Sequence, residues 1–162
     1  MAIYTVSDLG LMGQDKTNGC WYFSAKMMAN WSSKSGSGAI KDPSGLSDLL
    51  NLYTGNCGYA LSTCGTLAGK LGMKALSRQK RGYAEMLTLL KSGPLWAAGM
   101  KEDGAERFPH VVVIGGVVDT GVLVLDPLPL NNGLKSWKTW SWLSSFLALD
   151  NAAFDANLLS PA

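Results

Sequence analysis

Four residues in this chain could together do nucleophilic chemistry: Gln14, Cys20, His110 and Asp126. Cys20 stands in QDKTNGCW (14–21), six positions after Gln14 and directly before Trp21. A free cysteine is most often a small buried apolar residue, but as a thiolate it is also a strong carbonyl nucleophile. Such a thiolate needs a base, and His110 is the only histidine present. Alone, a histidine at the start of an apolar strand is usually structural, and Asp126-Pro127 is an ordinary way to leave a strand.

Their relation says more than either residue does. His110 and Asp126 are sixteen positions apart, across what reads as a hairpin. An even separation puts both side chains on one face if the hairpin pairs without a bulge. Direct pairing would bring their Cβ atoms to ~5 Å. A tight turn at Asp119-Thr120, however, sets Val118 against Val122 and Ile114 against Asp126. His110 is then roughly 13 Å further along the strand. The pair therefore calls for a wider connection centred near Val118, with Gly115-Gly116 letting the strand bend.

Cys20 falls at the first turn of a predicted helix, whose dipole favours a thiolate. Its own N–H points towards a developing oxyanion, and the Gln14 amide would be a second donor. The set supplies a nucleophile, a base, a base-orienting acid and an oxyanion donor. Cys20 as thiolate and His110 protonated would form a coupled pair with a bell-shaped pH profile.

Positioning these groups requires a particular order of elements. Residues 3–13 read as an extended opening. The helix over 20–31 places Cys20, Phe23, Met27 and Trp31 on one face as its core contact, with Asn18 and Gly19 as its start. Trp21 reads as core in preference to cleft wall. SSKSGSG (32–38) is a loop. Helices are expected from Pro43 to Tyr53, from Gly58 to Leu71 with Gly72 as stop, and over 82–93. Strands are expected at 73–77 and 94–100, with 101–109 as a surface loop. The clearest β signal is 110–127, two β-branched runs around Asp119-Thr120-Gly121. A loop at 127–133, an extended KSWKT and a helix over 140–149 follow. Helices first and mostly strands afterwards predict an α+β fold.

At 162 residues the chain is expected to be a single domain, 1–162, large enough for a real core. Charged residues are 16% and net charge is +2, with no dense basic patch beyond SRQKRGY (77–83), which reads as a solvated loop. Nucleic acid and membrane are therefore not expected partners. No apolar run approaches a membrane span. The N-terminus has no signal-peptide pattern, so export would use another route. Cys57 and Cys64 are too far apart on a helix for a disulfide and read as core residues. Free thiols suit a reducing cytosol. Cys/His spacing offers no zinc site, and neither metal nor cofactor is expected.

Taken together, Q-x5-C-W (Gln14, Cys20, Trp21), GPLW (93–96), HVVVIG (110–115) and VLDP (124–127) resemble the papain-like cysteine peptidases. The resemblance is nearest to the compact bacterial effector branch, the avirulence-type peptidases, and extends to leader peptidases that cut after double glycine. It covers about residues 10–130. It implies a helical half packed on an antiparallel β half with the cleft between. By it Cys20 is the nucleophile, His110 the base, Asp126 the third member, and Gln14 lies in the oxyanion hole. There are departures: papain has asparagine at the position of Asp126, the second cysteine of papain's motif is absent, and this chain is shorter.

The resemblance implies an endopeptidase, a toxin or effector domain delivered by a specialised secretion system into a target-cell cytoplasm. There it would act as a monomer on a protein substrate, with cleavage at a glycine-containing site and a cognate immunity protein occluding the cleft. A glutamine deamidase, transglutaminase or peptidoglycan amidase could use the same residues, as fold does not dictate reaction. A degenerate binding domain would have no reason to keep all four.

Overall fold

Near-continuous apolar runs at 110–126 dictate a strand pair buried on both sides, and the computed structural model, which describes residues 3–35 and 37–162, contains it. Strand β4 (Glu106–Val118) pairs antiparallel with β5 (Gly121–Asp126). Val111, Val113, Leu123 and Leu125 face one side, whereas Val112, Ile114, Val122 and Val124 face the other.

Around this pair, β1 (Tyr4–Thr5), β2 (Met73–Ala75), β3 (Leu95–Asp103), β6 (Leu134–Thr139) and β7 (Leu158–Pro161) complete a seven-stranded sheet. Its order is β2-β7-β3-β4-β5-β6, with β1 on β4, and the pairings are antiparallel. One face is covered by α1 (Cys20–Lys34), α2 (Ser47–Thr54) and α3 (Cys64–Leu71) through Trp21, Met28, Leu49 and Leu67. Onto the other pack α4 (Tyr83–Lys91) and α5 (Trp140–Leu147) through Met86, Leu90, Leu143 and Phe146. The α+β class, with the N-terminal helical region against an antiparallel sheet, is as the sequence predicts. No helix among the described residues is long and apolar enough to cross a membrane.

Several local expectations are corrected. The loop expected at 101–109 is strand: β3 and β4 stay paired from Leu95↔Ile114 out to Asp103↔Glu106 around Gly104 (φ 63°). Polar side chains at 101–107 mark a hairpin arm projecting beyond the core, and the backbone ladder continues without apolar alternation. The helix expected from Gly58 starts only at Cys64, where the Asp155 carboxylate accepts from the Cys64 and Gly65 N–H groups at 2.9 and 3.0 Å. That distant cap fixes the start, and it leaves Cys57 exposed in a loop instead of in the core. Both cysteines are free, as is Cys20. In α1 the buried face runs through Trp21, Ala25, Met28 and Ser32 as well as Met27, while Cys20, Phe23 and Trp31 are only partly buried. Apolar residues all round this helix blur its periodicity, and the sheet contact selects the face. Gly36 of the predicted 32–38 loop lies outside the described residues.

Candidate active site

The hairpin expected to align His110 with Asp126 does so by a different device. Its connection is a tight two-residue turn, Asp119-Thr120, with Val118 opposite Gly121 and Val117 opposite Val122. Continued unbroken, that register would set Asp126 opposite Val113, and adjacent positions such as 112 and 113 point to opposite faces. His110 and Asp126 would then face away from each other. A bulge between Ile114 and Gly116 shifts the register, so that Ile114 pairs with Val124 and Val113 with Leu125. The next position, Val112, stands opposite Asp126, and His110 becomes its diagonal neighbour on the same face. Any side chain on the bulge residue would have to displace Leu9: a Cβ on Gly115 would lie 2.5 Å from Leu9 Cδ2. The wider connection expected from sequence is therefore replaced by a bulge at the glycine pair.

Across that diagonal, His110 Nε2 lies 2.6 Å from Asp126 Oδ1, and both residues are buried. The Leu128 N–H also donates to Oδ1, at 2.9 Å, and the Lys101 ammonium donates to Oδ2 at 2.5 Å. Sequence reasoning missed Lys101 because it assigned 101–109 to a loop. Asp103-Gly104, a common hairpin turn pair, was the available signal that this stretch pairs and brings Lys101 back beside the site. Burial acts most strongly on Asp126 and opposes its charge, but bonds from His110, Lys101 and the Leu128 amide outweigh it and hold the carboxyl below its ordinary range. At His110 burial is likewise the largest effect and pushes downward. The hydrogen bonds to Asp126 and Cys20 and their charges overcome it, raising the imidazole to about 9.

Cys20 is the first residue of α1. Asn18 does not cap this helix, because it is engaged elsewhere: its N–H donates to Asn56 Oδ1 at 3.0 Å and its Nδ2 to the Asn56 carbonyl at 2.9 Å. Tyr53 braces the same loop through a 2.5 Å bond to Asp15. The loop after Asp126 and this loop are sewn together at Gln14, whose N–H donates to the Pro127 carbonyl and whose carbonyl accepts from the Asn131 N–H. Close approach there needs Gly13, since a Cβ would lie 2.6 Å from the Asn132 nitrogen. With Nε2 of His110 held by Asp126, Nδ1 is the ring nitrogen left for the Cys20 thiol.

The Gln14 side chain is fully buried. Its amide nitrogen donates to the Lys16 and Thr17 carbonyls at 2.8 and 3.0 Å, and its Oε1 has no hydrogen-bond partner. Both amide hydrogens are thus used within the 14–19 loop, and turning the amide over would set oxygen against two carbonyls.

Above Cys20 and His110 opens a cavity of about 640 Å³, walled by Trp21, Tyr59 and Leu61 on one side and Phe108, Leu128 and Leu130 on the other. Trp21 is both core and wall: it is 1% exposed, and its Nε1 donates to the Cys57 carbonyl. A thiol bonded to a buried, aspartate-held imidazole at the floor of an apolar cleft is equipped for attack on an acyl carbon. Among the described residues no group of side chains could hold a metal ion. No curated protein matches the chain. One family model, described as papain-like cysteine protease AvrRpt2, matches residues 4–144. The chain belongs to this family of bacterial effector-type papain-like proteases and is a cysteine peptidase.

Proposed function

We propose that Cys20, His110, Asp126 and Gln14 are the nucleophile, base, orienting acid and oxyanion donor of this peptidase. The Cys20 thiolate attacks the scissile carbonyl carbon, and the negative charge moves to the carbonyl oxygen. The protonated imidazole then gives its proton to the leaving amine as the C–N bond breaks, which leaves a thioester on Cys20. Water, losing a proton to His110, attacks the thioester, and the acid product and free thiol are released. Asp126 keeps Nε2 engaged throughout, so that Nδ1 stays aimed at the sulfur. The Cys20 N–H and the Gln14 amide receive the oxyanion, which requires Gln14 to release one of its two loop carbonyls.

The observation that carries this reading is the 2.6 Å His110–Asp126 contact beside Cys20 at the cleft floor. We further propose that residues 1–162 act as one domain and as a monomer. Its substrate is a protein in the cytoplasm of a target cell reached through a specialised secretion system. The partly open apolar cleft would accept an extended polypeptide, and an immunity protein would neutralise the enzyme by filling it. The similarity to double-glycine leader peptidases supports a glycine-containing cleavage site.

N-terminal labelling proteomics of a target-cell lysate treated with wild type or Cys20→Ala tests the assignment. New protein N-termini produced by the wild type alone are expected, and they display the cleavage sequence. Equal termini from both proteins would remove Cys20 from the mechanism. An absence of new termini, with substrate masses shifted as amides become acids, would replace proteolysis by deamidation.

A further inference from the structure

We infer that Lys101 is a positioning residue for the reaction: its ammonium, bound to the outer oxygen of Asp126, holds that carboxylate ionised and turned towards His110. The inference rests on the proposed roles of Cys20, His110 and Asp126.

Asp126 has two oxygens with different work. Oδ1 meets His110 Nε2 and the Leu128 N–H, and Oδ2 is left to Lys101 at 2.5 Å. A carboxylate held at one oxygen can rotate about χ2; one held at both cannot. Lys101 can do this because strand alternation puts it on the same face as His110: Gly99 pairs with His110 and Lys101 with Phe108, one step further along the ladder. The carboxylate is 11% exposed and the lysine side chain 30%, so the pair is partly shielded from water, where a charge pair counts for more than at an open surface. Lys101 opens backwards, away from the substrate cleft, into a second cavity of about 400 Å³. The other charged side chains lining that cavity are Glu102 and Lys138. Glu102 accepts from Ser145 and pairs with Arg107, and Lys138 lies over the Trp142 ring, so neither replaces Lys101 on Asp126. Since Lys101 does not line the substrate cleft, its removal should alter turnover and not binding.

The test compares Lys101→Met, which keeps the aliphatic stem, with Lys101→Arg on a cleavable peptide identified by terminal labelling. Lys101→Met is expected to lower kcat about tenfold while KM stays within about twofold, in line with outer partners of catalytic groups elsewhere. Removing a positive charge raises the pKa of the neighbouring ionisable groups, so both limbs of the pH profile should move to higher pH. Lys101→Arg should restore most of kcat and return both limbs. In an Asp126→Ala background, Lys101→Met should cost nothing further. Wild-type kinetics for Lys101→Met, a change in KM alone, or a loss of activity with both limbs unmoved would each overturn the inference. If Cys20→Ala or Asp126→Ala were fully active, the triad itself would be lost, a result distinguishable from failure at Lys101 alone.

Discussion

Two helices in this molecule begin with a cysteine, and only one of those cysteines sits in a cleft. Cys20 opens α1 and Cys64 opens α3, so each thiol lies at the positive end of a helix. At Cys64 the vacant N–H groups are taken by the Asp155 carboxylate, and the buried thiol donates to the Leu61 carbonyl. Burial first, and then the Asp155 charge, push that thiol up to about 12. At Cys20 the neighbour is an imidazole held by a second aspartate, and the sulfur faces open space. A helix start alone therefore does not decide the fate of its thiol. What stands beside it, carboxylate or imidazole, decides whether the sulfur is a structural thiol or a reactive one.

The sharpest way to break this contrast is to remove the two sulfurs in turn. Cys20→Ala should reduce peptide cleavage by about 10⁴-fold or more, as when a nucleophile is removed from an interdependent triad. Cys64→Ala should leave kcat/KM within about twofold; a comparable loss from both would erase the distinction. Next in size is Asp126→Ala. Without the carboxylate that holds Nε2, the imidazole beside Cys20 is free to turn, and activity should fall by about 10³-fold, near the effect of misorienting the base in other triads. Circular dichroism should still report a folded sheet, which separates this loss from unfolding.

A smaller effect sharpens the Cys64 side. Asp155→Asn should cost about 1 kcal/mol in thermal or urea denaturation through the weakened helix cap. It should also speed alkylation of Cys64, which in the wild type should react only after denaturation; unchanged alkylation would mean that burial alone silences this thiol. The smallest change is a titration. His110 is the sole histidine, so its ring proton can be followed singly by NMR. Its midpoint should lie near 9 and should fall in Cys20→Ala, since Cys20 is one of the groups raising it, but not in Cys64→Ala. Because the folded value exceeds the unfolded one near 6.5, this group's stabilising contribution is complete below about pH 6.5. It is lost as pH rises through about 9, and the stability of the wild type should decline across that window.

The α+β class, the 110–126 hairpin, α4 and α5 were legible because periodicity and turn residues report local structure directly. Types and spacing also marked Gln14, Cys20, His110 and Asp126 as candidates, and the structure brings Cys20, His110 and Asp126 together. The register that joins His110 to Asp126 was not legible, because it depends on whether the glycine pair takes up a bulge at all. Tertiary packing makes that choice: Leu9 closes on Gly115, and β1 lies along Gly116. The start of α3 was illegible for a similar reason, its cap lying ninety residues away at Asp155. Lys101 was hidden by composition, since a paired strand arm standing clear of the core has the same polar residues as a loop. The use of both Gln14 amide hydrogens on Lys16 and Thr17 depends on the path of the 14–19 loop, which no residue pattern in that stretch specifies.

The bulge at Gly115 also bears on which insertions and deletions this hairpin can survive. A three-residue turn without a bulge would keep His110 and Asp126 on one face but slide them too far apart to touch. A two-residue turn without a bulge would turn them back to back. For a fixed count of residues between His110 and Asp126, loop length and bulge must therefore change together. When the count changes at the exposed Asp119-Thr120 tip the strands can keep their register, so a one-residue insertion there should be tolerated, whereas one placed between the bulge and His110 would turn the imidazole to the other face.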